Sequence, residues 1–327
     1  MKANALTVSL DDKSTNVRLT PRSRASVSRK PSDLARNALQ ILSLVAPHLA
    51  AVWVAKRFLT PPPARPLSPK SQAFLASADD RFTVRLDMNL RGTRDTSRVQ
   101  VSLWGRGPAV YMLHGWGGRG TQWAAFVPPL VEAGYTAVLL DAPGHGESPA
   151  PRTSIVHFAA ALATVVESVG PARCAMGHSL GGAAAALAMK RGLPCDNAVL
   201  FGAPADPTAY FDLFLGRIGI PERIHPLIKN DVERRYGFEW KQFAVSPPKR
   251  DTDEPDLPAL IVHDSADADV DVANARRIAD AWPGAQMMTT QGLGHQRILT
   301  DAEVVRSVVS WLSRGAPEAS ASRTVLG

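Results

Sequence analysis

Cysteine is scarce in this chain, because Cys174 and Cys195 are the only two among its 327 residues. Two thiols are too few for a disulfide framework or a zinc site, and both stand beside apolar runs typical of strands, so we expect buried free thiols. No two histidines stand at ligand spacing with a third donor, so we expect no metal. A secretory signal is not evident either, since the first apolar stretch begins only near Ala38. We therefore expect a cytoplasmic location.

A broad basic surface is also lacking, although the formal net charge is +7. Residues 1–36 carry eight Lys and Arg against three Asp, whereas the remainder carries 29 basic and 27 acidic residues. The polar composition of 1–36 predicts a disordered basic tail. The nearly neutral body argues against nucleic acid as a partner.

No apolar run is clearly long enough to span a membrane. The stretch from Ala38 to Ala55 reaches only the lower limit of about 18 residues, and polar residues and Pro47 interrupt it. Its large apolar residues recur at helical spacing, at Ile41, Leu42, Val45, Leu49, Val52 and Trp53. This pattern predicts an amphipathic helix over 38–59 that packs on the body. There are two alternatives: the helix contacts a membrane surface peripherally, helped by the basic tail, or it spans the membrane. A stiff Pro-rich linker follows this helix, and the helix and the linker together form the segment at 37–70.

Strand-like and helix-like stretches alternate in the rest of the chain. Short β-rich runs occur at 82–86, 98–104, 109–114, 136–142, 173–178, 197–203, 259–264 and 285–290. Helical patterns intervene at 121–133, 155–168, 180–191, 270–281 and 301–313. The first two runs predict a hairpin, and the alternation predicts an α/β core over 71–206 and 256–314 with a mainly parallel sheet flanked by helices. In such sheets the functional residues gather at the carboxyl ends of the strands.

Two segments fall outside this alternation. Residues 207–255 offer no strand pattern but hold seven of the chain's 21 aromatic residues. They predict a helical subdomain whose aromatics form its own core, or a lid whose aromatics also line an apolar pocket. Residues 315–327 are expected to be a flexible C-terminal tail.

A single serine stands in a glycine-rich turn in the run MGHSLGG. Ser179 follows a predicted strand and precedes an Ala-rich helix, and Gly177 and Gly181 leave room for a sharp turn. The N-terminus of the following helix supplies free N–H groups beside the serine. This setting predicts a nucleophile.

A serine nucleophile needs a base and an orienting acid. His295, just past the last predicted strand, is the candidate base. Asp267 is the first choice for the acid, with Asp264 and Asp269 as close competitors and Asp206 as a distant one. These residues occur in the order Ser, Asp, His, each beyond a strand end.

An oxyanion hole must also supply N–H donors to the tetrahedral intermediate. The loop HGWGG at 114–118 follows the third predicted strand, and we assign the backbone N–H groups of Trp116 and Leu180 as the donors. His114 is expected to brace this loop through hydrogen bonds. His178 adjoins Ser179 on a sharp turn and so is not expected to act as its base.

These motifs together resemble the serine hydrolases of the α/β-hydrolase superfamily. The resemblance rests on HGWGG at 114–118, DAPGHGES at 141–148, GHSLGG at 177–182, HDSAD at 263–267 and GLGH at 292–295. It implies an α/β-hydrolase fold with eight strands, an antiparallel second strand, and no metal or organic cofactor; in this fold the helical segment at 207–255 is expected to be a lid inserted after strand 6. It also favours Asp267 as the acid and structural roles for His145 and Glu147.

The resemblance and the candidate triad predict a carboxylesterase-like enzyme. We expect cleavage of a small, apolar ester of short-to-medium acyl chain through an acyl-enzyme intermediate. A thioesterase, lactonase, amidase or carbon–carbon hydrolase would use the same triad. A non-catalytic ligand-binding protein of the same fold is the alternative from another class.

Overall fold

The computed structural model describes residues 33–90, 93–248 and 257–314. The expectations for the C-terminal tail and for residues 1–32 of the basic tail concern residues outside these ranges. The first helix already begins at Asp33, so the last four residues assigned to the tail are helical.

One eight-stranded sheet forms the centre of the described chain. Its strands are β1 Asp80–Leu90, β2 Thr93–Trp104, β3 Ala109–Leu113, β4 Thr136–Asp141, β5 Ala172–His178, β6 Ala198–Phe201, β7 Ala259–Asp264 and β8 Gln286–Thr290. They are ordered β1-β2-β4-β3-β5-β6-β7-β8. Strand β2 runs antiparallel to β1 and β4, and all other pairs are parallel. The predicted hairpin, parallel sheet and antiparallel second strand are confirmed.

Helices cover both faces of this sheet. They are α3 Pro69–Ala76, α4 Val127–Glu132, α5 Ile155–Val169, α6 Leu180–Lys190, α9 Ala273–Ala281, α10 Gly294–Arg297 and α11 Ala302–Arg314. One hydrophobic core lies under α5, α6 and α9, and a second lies under α3, α4 and α11. Successive residues of β3 alternate between the two cores, with Tyr111 in the first and Met112 in the second. This two-sided burial is why the parallel strands are continuous apolar runs in the sequence.

The described part of the segment between β6 and β7 is helical, as predicted. It contains α7 Thr208–Arg217 and α8 His225–Tyr236, with short 3-10 turns at 222–224 and 240–243. Its aromatics pack on one another: Phe211 is buried, and its ring stacks on Trp240 with centroids 4.8 Å apart. The aromatics of this segment thus pack together as expected, but they do so in a core that also includes Phe58 from outside the segment.

Two helices, rather than one, precede the Pro-rich linker. Helix α1 Asp33–Val45 and helix α2 Pro47–Phe58 are separated at Ala46, because the ring of Pro47 cannot continue the first helix. The prediction of a single helix over 38–59 was wrong at this point. Within the described residues, no helix is long and apolar enough to cross a membrane.

The side of these helices that packs is also not the side with the large apolar residues. Leu39, Ala51, Val54 and Ala55 join α7 and α8 in a third hydrophobic core. Of the six large residues in the predicted stripe, only Leu42 is partly buried against this core, and the other five are exposed. The small alanines allow α2 to approach α7 and α8 closely, which the larger residues would prevent. We call α1, α2, α7 and α8 together the cap.

Candidate active site

Ser179 occupies a strained turn between β5 and α6. Its φ of 53° and ψ of −122° make it the only non-glycine residue with positive φ within the described ranges. A side chain rarely adopts this backbone conformation unless the surroundings impose it. A Cβ on Gly177 would clash with the backbone of Gly181, and a Cβ on Gly181 would clash with the carbonyl oxygen of Leu113. The two glycines thus permit the close passage of three backbone segments around Ser179.

His295 and Asp267 form a buried pair. His295 lies on the single-turn helix α10 after β8, and its Nδ1 is 2.7 Å from Oδ2 of Asp267. The Asp267 side chain is 1% exposed, and its Oδ1 accepts hydrogen bonds from the backbone N–H groups of Asp269 and Val270. Burial raises the pKa of Asp267, but the hydrogen bond and charge of His295 and the two N–H donors lower it by more, so the pKa lies below its ordinary value. The carboxylate is therefore ionised at neutral pH.

Two of the competing carboxylates, Asp264 and Asp206, have other partners. Asp264 accepts hydrogen bonds from the Thr290 hydroxyl and from the N–H groups of Ala266 and Leu293. It therefore connects the loop after β7, residues 265–270, which we call the acid loop, to the loop that carries His295. Asp206 accepts from the N–H and hydroxyl of Thr208 at the start of α7. The sequence alone did not distinguish these carboxylates, because that distinction requires the position of His295.

Ser179 is connected to the histidine through the end of β6. Its backbone N–H donates to the carbonyl oxygen of Phe201 at 2.8 Å. The next residue, Gly202, lies against the imidazole, since a Cβ there would be 3.1 Å from Nδ1 of His295 and 3.3 Å from Oδ2 of Asp267. The carboxyl ends of β5, β6, β7 and β8 thus bring Ser179, His295 and Asp267 into one region of the sheet edge.

The loop at 114–118 lies against Ser179. A Cβ on Gly115 would be 3.0 Å from the Cβ of Ser179. Within the described residues, neither the N–H of Trp116 nor that of Leu180 donates a hydrogen bond.

Two buried histidines hold this loop. Nε2 of His114 accepts from the N–H of Ala142, and Nδ1 donates to the carbonyl oxygen of Gly115, so His114 braces the loop as the sequence predicts. Nε2 of His145 accepts from the N–H of Gly117 at 2.9 Å. Burial lowers the pKa of His114 to about 4 and that of His145 to about 3, which keeps both rings neutral and able to accept.

Asp141 contributes to the same loop and was not singled out from the sequence. At the end of β4, its Oδ1 accepts from the N–H of Gly120 and its Oδ2 from the N–H of Glu147. It joins the segment after 114–118 to the DAPGHGES turn. The available signal was its place as the first residue of that motif, at the end of a predicted strand.

His178 contacts the backbone of the residue that carries the imidazole. Its Nε2 donates to the carbonyl oxygen of His295 at 2.8 Å, and the two ring centroids are 4.5 Å apart. Burial and the neighbouring His295 lower the pKa of His178 to about 3. The neutral ring of His178 thus uses its N–H to hold the backbone of His295.

In the described ranges, no group of three or more His, Cys, Asp or Glu residues forms a metal-binding cluster.

Comparisons with known proteins agree with this fold. Residues 108–222 match the family described as the alpha/beta hydrolase fold, and residues 229–323 match the family of TAP-like proteins. A thermophilic esterase from Thermogutta terrifontis has the same fold, with a TM-score of 0.51, 20% sequence identity, and coverage of 72% of this chain and 98% of that one. The chain belongs to the α/β-hydrolase superfamily.

Curated relatives match shorter segments. A pimeloyl-[acyl-carrier protein] methyl ester esterase of Aeromonas hydrophila is 39% identical over 85 residues, which cover 26% of this chain and 33% of the relative. A 2-hydroxy-6-oxononadienedioate/2-hydroxy-6-oxononatrienedioate hydrolase of Escherichia coli is 37% identical over 107 residues, which cover 29% and 36%. The chain thus matches only about a third of the length of these two relatives.

Proposed function

We propose that the protein is a serine hydrolase that cleaves a carboxylic ester through an acyl-enzyme intermediate. The observation that carries the proposal is the strained Ser179 at the start of α6, close to the hydrogen-bonded pair of His295 and Asp267. The relatives named as an esterase and a hydrolase support the same reaction class.

Acylation begins when Oγ of Ser179 attacks the ester carbonyl carbon. Nε2 of His295 takes the serine proton, while the ionised Asp267 stabilises the resulting imidazolium through Nδ1. The N–H groups of Trp116 and Leu180 donate to the oxyanion of the tetrahedral intermediate. The intermediate collapses to the acyl-serine as the imidazolium gives its proton to the leaving alcohol.

Deacylation repeats these steps with water as the nucleophile. His295 removes a proton from the water, which adds to the acyl carbonyl, and the same two N–H groups stabilise the second oxyanion. Return of the proton to Oγ releases the carboxylic acid and regenerates Ser179. Each oxyanion donor contributes on the order of 3 kcal/mol to stabilisation of the transition state.

The substrate we propose is a small apolar ester of short-to-medium acyl chain. The cap packs its aromatic side chains largely among themselves, and Tyr210 of α7 donates its hydroxyl to the carbonyl oxygen of Asp269 in the acid loop. In this proposal the cap acts as the lid, and its contact with the acid loop limits the space above Ser179. Such a site favours compact acyl groups.

Carbon–carbon bond hydrolysis is the second candidate. Its support is the Escherichia coli relative, which is named as a hydrolase of 2-hydroxy-6-oxo dienoic and trienoic diacids. The same nucleophile and base serve that reaction. The two activities differ in the bond that is broken, so a substrate panel that includes a vinylogous 1,5-diketone acid separates them.

The test is a series of p-nitrophenyl esters of increasing acyl length together with a fluorophosphonate probe. We expect short and medium esters to turn over, covalent labelling of Ser179, and loss of both in Ser179→Ala. Ser265→Ala is the matched control, since Ser265 is an exposed serine in the acid loop and should leave both signals intact. Turnover that survives in Ser179→Ala would contradict the proposed nucleophile.

A further inference from the structure

Exposed large apolar side chains are concentrated on the two N-terminal helices. Six of the eight such residues in the described ranges lie on α1 and α2, with exposed fractions from 38% to 80%. They are Ile41, Leu44, Val45, Leu49, Val52 and Trp53. We call these six residues the outer stripe. Within each helix these residues recur at helical spacing, and the two helices are consecutive in the chain.

The fold does not use the outer stripe for its own core. The opposite sides of α1 and α2 already pack on α7 and α8 through Leu39, Ala51, Val54 and Ala55. Gln40 additionally donates its side-chain N–H to the carbonyl oxygen of Gly219, which anchors α1 at the end of α7. The helices are therefore held with the stripe facing away from the body. Exposed large apolar side chains concentrated in one part of the fold in this way mark an interaction site.

The charge of the surrounding chain has one sign. Residues 34–78 contain five Lys and Arg and no Asp or Glu. Over residues 1–78 there are twelve basic and three acidic residues, whereas residues 79–327 carry 25 basic and 27 acidic ones. Lys56 is exposed one turn beyond the outer stripe, next to Arg57. The excess positive charge of the molecule thus lies in the same part of the chain as its exposed apolar side chains.

We propose that the outer stripe docks the protein on an anionic lipid bilayer. The apolar side chains enter the boundary between headgroups and acyl chains, Trp53 lies at the headgroup level, and the basic residues contact the lipid phosphates. A helix that lies in the membrane plane combines an apolar face with basic flanks in this way. No spanning segment is required.

A second copy of the chain fits this surface less well. A self-complementary interface through the outer stripe would bring two segments of the same high positive charge together, which opposes association. An anionic bilayer instead neutralises that charge. The cap then lies at the lipid surface, because α2 packs directly on α7 and α8.

Vesicle binding of the full chain tests the proposal. Co-sedimentation is measured with vesicles of phosphatidylcholine alone and with vesicles that also contain phosphatidylglycerol. We expect binding to the anionic vesicles only, and a loss of about tenfold or more in Leu44→Ser/Leu49→Ser, because two exposed leucines no longer enter the bilayer. Lys56→Gln/Arg57→Gln should weaken binding and reduce its dependence on salt.

The control variant is Val131→Ser, which removes an exposed large apolar side chain from α4, outside the cap. It should bind as the unaltered chain does. Turnover of a water-soluble ester by Leu44→Ser/Leu49→Ser should match the unaltered chain, so loss of vesicle binding is separated from loss of fold or activity. The vesicle measurement needs no hydrolysis and stands even if the proposed reaction fails.

Equal binding of Leu44→Ser/Leu49→Ser and the unaltered chain would overturn the proposal. So would binding that is indifferent to phosphatidylglycerol. A dimer in sedimentation velocity that the same double variant dissociates, without any vesicle binding, would assign the stripe to a second copy instead. Tryptophan fluorescence gives a further readout. A blue shift of the emission maximum on anionic vesicles that disappears in Trp53→Phe would support insertion of the outer stripe into the bilayer.

Discussion

At the residue scale, the candidate site depends on side chains whose partners are backbone groups. Asp267 accepts two backbone N–H groups in addition to His295, and His178 donates to the backbone of His295. The bond to Asp267 holds the imidazole at Nδ1, and the bond from His178 holds the backbone of the same residue. Ser179 is held similarly, because its own N–H is bonded to the end of β6.

Replacement of the acid tests which carboxylate orients His295. Asp267→Asn removes the negative charge that stabilises the imidazolium, so we expect kcat to fall by about 10³- to 10⁴-fold. Asp269→Asn, two residues away in the same loop, should remain close to the unaltered chain. Steady-state kinetics with a p-nitrophenyl ester measure both. A larger loss in Asp269→Asn than in Asp267→Asn would reverse the assignment.

At the scale of elements, the cap joins two parts of the chain that are far apart in sequence. Helices α1 and α2 precede the sheet, whereas α7 and α8 lie between β6 and β7, and the four helices share one hydrophobic core. The insertion after β6 therefore does not bury its apolar side by itself. Removal of the N-terminal helices would expose Phe211 and its neighbours.

Truncation of one core residue measures how much this shared core contributes. Phe211 is fully buried between α2, α7 and Trp240, so Phe211→Ala should lower the free energy of unfolding by about 3–5 kcal/mol. Leu213, on the same helix but 51% exposed, is the matched control. Leu213→Ala should change the free energy of unfolding by less than about 0.5 kcal/mol. Urea unfolding measures both. Similar losses in the two variants would mean that α7 is not packed in this way.

At the scale of the whole molecule, several neutral histidines are buried. Burial lowers the pKa values of His114, His145 and His178 to about 4, 3 and 3, below the value near 6.5 of an unfolded chain. The unfolded state therefore binds more protons than the folded state once the pH falls below about 6.5. The contribution of these three histidines to the free energy of unfolding is fully present above about pH 6.5. It is lost as the pH falls toward their pKa values in the folded state.

Calorimetry from pH 8 to pH 5 tests this linkage. We expect Tm to be nearly constant down to about pH 6.5 and then to fall, with each such histidine contributing up to about 1.4 kcal/mol per pH unit. His145→Gln retains an acceptor for the N–H of Gly117 but cannot titrate, so the decline should become shallower. His48→Gln, at an exposed position on α2, controls for loss of an imidazole. An unchanged slope in His145→Gln would contradict the assignment.

Most of the sheet was predictable from the sequence. Strands buried on both faces are short continuous apolar runs, and the predicted run at 259–264 coincides with β7. Helices α5 and α6 are predicted to within one residue at each end. The glycines around Ser179 also indicated the sharp turn, because the clashes that a Cβ would cause there are local.

Other features depended on contacts between distant segments. The first and last acid candidates near the end of β7, Asp264 and Asp269, are only five positions apart. Only the position of His295 distinguishes them, because a hydrogen bond at 2.7 Å depends on three-dimensional placement. The inward side of α1 and α2 was likewise not predictable. Their large apolar side and their alanine-rich side were both able to pack, and the close approach of α7 and α8 selected the smaller one. The sequence by itself thus determined the strands, the turn at Ser179 and the order of the candidate residues, which depend on local sterics and hydrophobic periodicity. The tertiary structure alone decided the partner of His295 and the exposed face of the cap, because both follow from packing between elements far apart in the chain.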